Sequence, residues 1–187
     1  MDTIAIAAII CAVIAIALVI WVVSRQRNTQ RLRSRFGPEY DRAVEHTGDR
    51  RRAETDLQER EQRIKRLHIR ELTGSERERF INEWIRQQSH FIDQPARAVA
   101  EADALVSQVM TTRGYPMSDF ETQAADISVD HGRVVDTYRE AHAIAMRSKA
   151  PETTTEELRR AMVCYRELFE DLVGRRVFTS EREEVSR

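Results

Sequence analysis

The sequence predicts an all-α protein with an N-terminal transmembrane helix, a charged helical stalk and a small antiparallel helical bundle. Three observations predict this architecture. Twenty consecutive residues without a charge, 4–23, lie at the start of the chain. The 187 residues include only six Gly and four Pro, and runs of β-branched residues are absent after residue 23. Apolar residues recur at spacings of three and four over residues 73–173, as on helices that bury one face.

The uncharged run predicts a retained transmembrane helix over residues 1–24. At about 1.5 Å per residue, a helix of this length spans about 30 Å, the thickness of a bilayer's hydrocarbon core. The alternative is a cleaved secretory signal. However, Met1-Asp2-Thr3 carries no Lys or Arg, and the end of the run at Val23 offers no small-residue cleavage site. A lipoprotein site at Cys11 is disfavoured by the large residue Ile10 before it.

A basic juxtamembrane segment, residues 25–38, follows the uncharged run. It contains five arginines and no acidic residue: Arg25, Arg27, Arg31, Arg33 and Arg35. Since Lys and Arg near a membrane helix favour the cytoplasmic side, we expect a single-pass protein of the inner (plasma) membrane. Its N-terminus would face outside and its C-terminal domain the cytoplasm. The same five arginines are candidates for binding lipid headgroups.

A stripe of small residues on the predicted membrane helix suggests a homodimer. Its members are Ala5, Ala8, Ala12 and Ala15. Small residues allow transmembrane helices to approach closely. The alternative, that alanine is simply common in such helices, is favoured. The predicted partners are the lipid bilayer and a protein at the membrane surface, and a second copy through this stripe is a further candidate.

A charged helical stalk is predicted for residues 39–72. Gly37-Pro38 ends the first helix, because Pro cannot continue the helical hydrogen bonds. A second helix is then expected over about 39–67, charged almost all round. Such a helix either stands in solvent, held by i,i+4 ion pairs, or pairs with a second copy along a thin apolar seam. The solvent-exposed stalk is favoured, because polar residues such as Glu61 interrupt the seam.

The helical bundle is predicted for residues 73–174. Capping boxes mark three helix starts, Ser75 with Glu78, Ser118 with Glu121 and Thr154 with Glu157. The expected helices are 75–92, 95–113, 119–127, 130–148 and a last one that ends before Gly174.

Two smaller segments complete this reading of the chain. Tyr115 and Met117 lie in a loop between helices and are expected to cover one end of the bundle, with a partner contact as the alternative. Residues 175–187 are charged and without pattern, which predicts a disordered tail.

Charge and cysteine content narrow the function classes. The net charge is −1, and without Asp2 and the five arginines residues 36–187 hold 25 basic and 30 acidic residues. A net acidic domain disfavours nucleic acid as a partner. Cys11 and Cys164 lie in unlike segments, so neither a disulfide framework nor a cysteine metal site is predicted. No cofactor is predicted, because the chain has no phosphate-binding loop or dinucleotide fingerprint.

Two histidines are the only candidates for catalysis. His131 and His142, with Asp136 or Glu140, could form a metal or acid–base site. Eleven residues along a helix separate the histidines by about 16 Å, too far to share one metal ion. We favour structural roles for both, and for Cys164 a role as a small half-buried residue. A membrane-tethered enzyme with a site near His131 and His142 remains the alternative function.

Several segments of the chain resemble a group of bacterial proteins without an assigned function. These segments are 36–42, 114–116, 130–131 and 161–166. The group has one N-terminal membrane helix and a helical soluble part, and the resemblance covers most of residues 1–173. It implies a bacterial inner-membrane setting and supplies no activity, cofactor or catalytic residue. The sequence therefore favours a single-pass membrane-anchored helical interaction or scaffold module over an enzyme.

Overall fold

The structure is a computed structural model that describes the backbone of residues 3–174 and the side chains of residues 12–174. Over these residues the chain forms eight α-helices and no β-strand, which confirms the all-α prediction. The helices are α1 (Thr3–Phe36), α2 (Pro38–Thr47), α3 (Arg50–Arg66), α4 (Gly74–His90), α5 (Pro95–Arg113), α6 (Phe120–His131), α7 (Val135–Met146) and α8 (Thr155–Val173). The side chains of Ala5 and Ala8 and the whole of the tail 175–187 lie outside the described part of the chain, so the predictions for them are not addressed by the structure.

Helix α1 runs without interruption from the uncharged residues into the helical body. Its last turns bury Leu32 and Phe36 completely. It ends where the sequence predicts, because Gly37 adopts a left-handed conformation at φ 55°. Pro38 then occupies the first position of α2, where a missing backbone N–H costs nothing. Within the described side chains, no helix contains a segment both long and apolar enough to cross a membrane. Residues 4–11 of the uncharged run lie outside that search.

The segment predicted as a stalk differs from the prediction. Instead of one helix over 39–67, the structure has a hairpin of α2 and α3. Gly48, at φ 65°, ends α2 in the left-handed conformation. The Asp49 carboxylate then accepts a hydrogen bond from the Arg51 backbone N–H at 2.7 Å and starts α3. A left-handed residue followed by an N-cap reverses the chain, so the two helices pack against each other.

This hairpin also packs against the rest of the protein, contrary to the expectation of a solvent-exposed stalk. Helix α3 contacts α1, α2 and α6. Its buried face consists of Ala53, Glu54, Leu57, Glu61 and Ile64. Residues 54, 57, 61 and 64 follow a spacing of three and four. Glu54 and Glu61 therefore belong to the buried face, although Glu61 was expected to interrupt the apolar seam.

Helices α4–α8 form the helical bundle that the sequence predicts. Helix α8 packs against both α5 and α7, and α4 packs against α5. Trp84 of α4 stacks on Phe169 of α8 with ring centroids 4.8 Å apart. Tyr115 is buried as expected, whereas Met117 is exposed.

Helix starts in the bundle agree with the sequence in one case and shift in two. Thr154 and Glu157 form the predicted capping box. At α4 the box is Thr73 with Glu76, two residues before the predicted pair. At α6 the cap is Asp119, whose carboxylate accepts from the Thr122 backbone N–H at 3.0 Å. In the two shifted cases, a side chain one or two residues before or after the predicted one caps the helix.

Candidate functional site: the junction between the first helix and the helical body

Three buried glutamates lie where α1 meets the α2–α3 hairpin. The first, Glu54, accepts hydrogen bonds from Thr29 Oγ1 at 2.7 Å, Tyr40 Oη at 2.9 Å and Arg50 Nε at 3.1 Å. Burial disfavours the charged form of Glu54, but these three donors outweigh burial and lower the pKa of its carboxyl. The Glu54 carboxylate therefore joins all three helices of the junction.

Tyr40, on α2, is one of the three hydrogen-bond donors to Glu54. Its side chain is completely buried, and burial together with the hydrogen bond to Glu54 raises the pKa of its hydroxyl. Arg33 of α1 lies over the Tyr40 ring, with its guanidinium carbon 5.0 Å from the centroid. The hydroxyl thus remains a donor, and the ring packs between α1 and α3.

The other two glutamates are held by arginines from distant parts of the chain. Glu61 pairs with Arg31 at 3.0 Å and with Arg35 at 3.4 Å, both on α1. Glu39 receives two hydrogen bonds from Arg139, at 2.6 and 3.1 Å, and one from Arg60 at 2.9 Å. Since a buried carboxylate is costly without a partner, these pairs fix which helices lie together.

The structure divides the five arginines predicted to bind lipid headgroups into two groups. Arg31 and Arg35 pair with Glu61, and Arg35 also contacts Asp130 at 3.1 Å. Arg33 lies 3.6 Å from Asp41. These three arginines hold α1 on the body. Arg25, half-buried over the Trp21 ring, and Arg27, which is exposed, lie closer to the uncharged run.

The carboxylate half of this junction was not predicted from the sequence. Glu54 and Glu61 lie in a charged run that predicts a solvent-exposed helix, and Glu39 is only the expected start of that helix. The available signal was the three-and-four spacing of residues 54, 57, 61 and 64. Acidic residues are rarely buried unless they are paired, and the sequence alone does not show which residues pair with them. The spacing was therefore not enough to predict that Glu54 and Glu61 are buried.

His131 belongs to a chain of hydrogen bonds that joins the ends of three helices. Its Nδ1 lies 2.6 Å from Asp171 Oδ2, and Arg113 Nη1 lies 3.2 Å from its Nε2. Because a guanidinium only donates, Nε2 accepts and Nδ1 carries the proton toward Asp171. Arg113 also donates to the Leu172 carbonyl at 3.1 Å, so this network fastens α5, α6 and α8 together.

His142 lies in a different setting from His131. Its ring stacks on Phe120 with centroids 3.7 Å apart, and its Nδ1 lies 3.4 Å from Asp103. The same Asp103 oxygen accepts a hydrogen bond from Tyr165 Oη at 2.7 Å. The carboxylates that the sequence suggested are engaged elsewhere, since Asp136 pairs with Arg139 and Glu140 with Arg160. The structure therefore does not bring the two histidines and those carboxylates into one site.

Other potentially reactive groups do not form a site among the described residues. No group of three or more His, Cys, Asp or Glu side chains there is arranged to hold a metal ion. Cys164 is buried, and burial raises the pKa of its thiol. A thiol in this state is a poor nucleophile.

The bundle surface carries an apolar groove between the end of α4 and the first half of α8. Its lining residues are Gln88, Phe91, Arg159, Met162, Val163 and Arg166. Ile92, next to Phe91, is 85% exposed, and Ile85 is half exposed one turn before Gln88. The groove thus combines an apolar floor with two cationic side chains on one side.

Comparisons with known proteins gave no match. No protein-family model, curated protein or solved structure is significantly similar to this chain. The function is therefore argued from the geometry of the chain itself.

Proposed function

We propose that the chain is a single-pass membrane-anchored helical module that binds a protein partner at the membrane surface. One observation carries the proposal. Helix α1 connects the uncharged run, without a break, to Leu32 and Phe36 in the buried core. An anchor and a folded body joined by one continuous helix would hold the body at a fixed position relative to the bilayer.

The exposure of α1 supports its role as an anchor. Between residues 13 and 23 it exposes nine large apolar side chains on all sides: Val13, Ile14, Ile16, Leu18, Val19, Ile20, Trp21, Val22 and Val23. A helix that is apolar all round is suited to a core or to lipid rather than to water. Trp21 lies near the end of the run, where an indole ring suits the membrane interface.

The proposed orientation follows from the arginines that flank the run. Because five arginines over 25–35 directly follow the run, the body would lie on the cytoplasmic side of the inner membrane. The functional consequence would be localisation. Confining the body to the membrane surface raises its effective concentration toward partners there.

The groove between α4 and α8 is the surface proposed for the partner. Phe91, Met162 and Val163 offer apolar contact, and Arg159 and Arg166 offer positive charge. Within the described residues, each arginine pairs with a carboxylate on its own helix, Arg159 with Glu156 and Arg166 with Glu170. Exposed pairs of this kind contribute little and rearrange readily. The partner that fits is an amphipathic segment with an apolar face and acidic residues beside it.

Site-specific photo-crosslinking of the full chain in its native membrane tests this proposal. A photo-reactive residue at Ile92 should give a discrete protein adduct. The same residue at Met117, which is 76% exposed near the end of α5 and lies at the opposite end of α8 from the groove, should not. Charge reversal of Arg159 and Arg166 to Glu should reduce the Ile92 adduct, whereas Arg133→Glu should not. Equal adducts from positions 92 and 117, or an adduct insensitive to charge reversal, would contradict the proposed groove.

The alternative, a membrane-tethered enzyme with a site near His131 and His142, has less support. His131 is enclosed between Asp171 and Arg113, and His142 is stacked on Phe120. Both arrangements are typical of structural histidines.

A further inference from the structure

The α2–α3 hairpin directs three consecutive arginines back along α1, toward the uncharged run. Helix α2 packs on the end of α1, where Asp41 contacts Arg33, and the turn at Gly48-Asp49 leads the chain into α3. Helix α3 then runs in the same direction as α1. Thr29 of α1 contacts Glu54, and Arg31 and Arg35, further along α1, contact Glu61. The hairpin tip at residues 48–52 therefore points toward the N-terminal half of α1.

Helical rise gives the level of this tip on α1. Arg50 precedes Glu54 by four residues, or about 6 Å along α3. One turn before Thr29 on α1 is Arg25. The tip and Arg25 thus lie at about the same level, just beyond the end of the uncharged run at Val23.

The arginines at this level differ in how their charges are balanced. Arg50 is bound to Glu54 and Tyr40. Arg51 and Arg52 are exposed, and neither they nor Arg27 forms an ion pair within the described part of the chain. The acidic residues nearby are Glu45 and Asp49, and the Asp49 carboxylate caps the backbone N–H groups of residues 51 and 52. Arginines outnumber acids at this level, so the surface is net positive.

We propose that Arg51 and Arg52, together with Arg25 and Arg27, form a basic collar that binds anionic lipid headgroups. This inference rests on the proposed membrane anchor. Anionic headgroups fit because the collar surrounds the point where the apolar run meets the folded body. The rest of the body is net acidic, which disfavours nucleic acid as the occupant. Arg51 and Arg52 are far from Arg25 and Arg27 in the sequence, and only folding of the hairpin brings the two pairs of arginines to the same level.

The test measures the lipid preference of the full chain reconstituted in phosphatidylcholine vesicles. Spin-labelled phosphatidylglycerol and spin-labelled phosphatidylcholine report, by electron paramagnetic resonance, which lipid associates with the protein. The test variant is Arg51→Gln with Arg52→Gln. The matched control is Lys65→Gln with Arg66→Gln, which removes the same charge from exposed residues at the other end of α3.

The wild-type chain and the control should favour phosphatidylglycerol, and the tip variant should lose up to about fivefold of that preference per arginine. The preference should decrease as salt is raised. Equal losses in tip variant and control, or none in either, would overturn the collar while leaving the anchor intact. Failure of the wild-type chain to remain with phosphatidylcholine vesicles during flotation would instead overturn the anchor.

Discussion

Buried glutamates decide how the polar segment after α1 folds. At positions 39, 54 and 61, each carboxylate is buried and each has arginine, hydroxyl or both as partner. Breaking such a pair by removing one member is costly, because the other member stays buried and unpaired. These residues therefore specify which helices lie together.

Glu54→Gln should lower the free energy of unfolding by about 1–3 kcal/mol at neutral pH, since it weakens three hydrogen bonds to a charged acceptor, two of them buried. Thermal unfolding of the full chain in mild detergent, followed by fluorescence of the buried Trp84, measures the change. Glu59→Gln, on the exposed side of the same helix, should have little effect. Equal losses from both variants would contradict the assigned role of Glu54.

A comparison of the wild-type protein with Glu54→Gln at different pH values tests the pKa of the Glu54 carboxyl. Its folded-state pKa lies below the ordinary value of 4.5, so its charge stabilises the folded state at neutral pH. That contribution is lost as pH falls below about 4.5 and through the folded-state pKa. The difference in unfolding free energy between wild type and Glu54→Gln should therefore shrink in that range. A difference that stays constant to lower pH would contradict a depressed pKa.

At the level of single residues, the sequence singled out the arginines of 25–35 but did not predict the carboxylates with which they pair. The arginines of 25–35 were identified as a functional group, and the structure assigns Arg31, Arg33 and Arg35 to intramolecular ion pairs. Ion-pair partners 30 or more positions away, such as Glu61 for Arg31, depend on tertiary packing. No local pattern in one sequence specifies them.

At the scale of helices, close approach between α1 and α6 fixes the orientation of α1 on the body. A Cβ atom at Gly132 would lie 2.5 Å from the Phe36 carbonyl oxygen and 2.9 Å from its carbon. Both atoms belong to the backbone, so neither can rotate away. The end of α6 and the end of α1 therefore meet closely only with glycine at this position.

Gly132→Ala should destabilise the full chain by about 1–3 kcal/mol, since the added methyl forces the two helices apart. The control is Gly74→Ala in the first turn of α4, where a Cβ meets nothing within 4 Å. That substitution should leave stability unchanged or raise it slightly. Chemical denaturation of both variants in the same detergent measures the difference. Equal stability of the two variants would contradict the close contact.

Helix boundaries were predictable from the sequence where glycine, proline or a capping side chain marks the end of a helix. Gly37-Pro38 ends α1, and Thr154 with Glu157 begins α8, as the sequence predicts. The break at Gly48-Asp49 was missed, although glycine followed by an N-capping residue carries the chemistry of a turn. The surrounding charge run resembled one long helix and concealed this signal.

At the scale of the whole molecule, α1 joins the uncharged run to the helical body. Its early residues are uncharged, and its last turns are built into the core through Leu32, Phe36 and the Glu54 and Glu61 clusters. If the uncharged run is the proposed anchor, the body should follow any tilt of that anchor, because Gly37, the first break in the helix, comes only after these contacts.

A spin-label accessibility scan of α1 in reconstituted vesicles tests whether one continuous helix joins a membrane anchor to the body. Single cysteines at successive positions from 12 to 36, on a background with Cys11 and Cys164 replaced by Ser, report contact with oxygen in lipid and a nickel reagent in water. We expect high oxygen and low nickel accessibility through residue 23, the reverse at exposed positions near 27, and immobilised labels at 32 and 36. Uniform access of the nickel reagent to positions 12–23 would contradict a membrane anchor joined to the body by one helix.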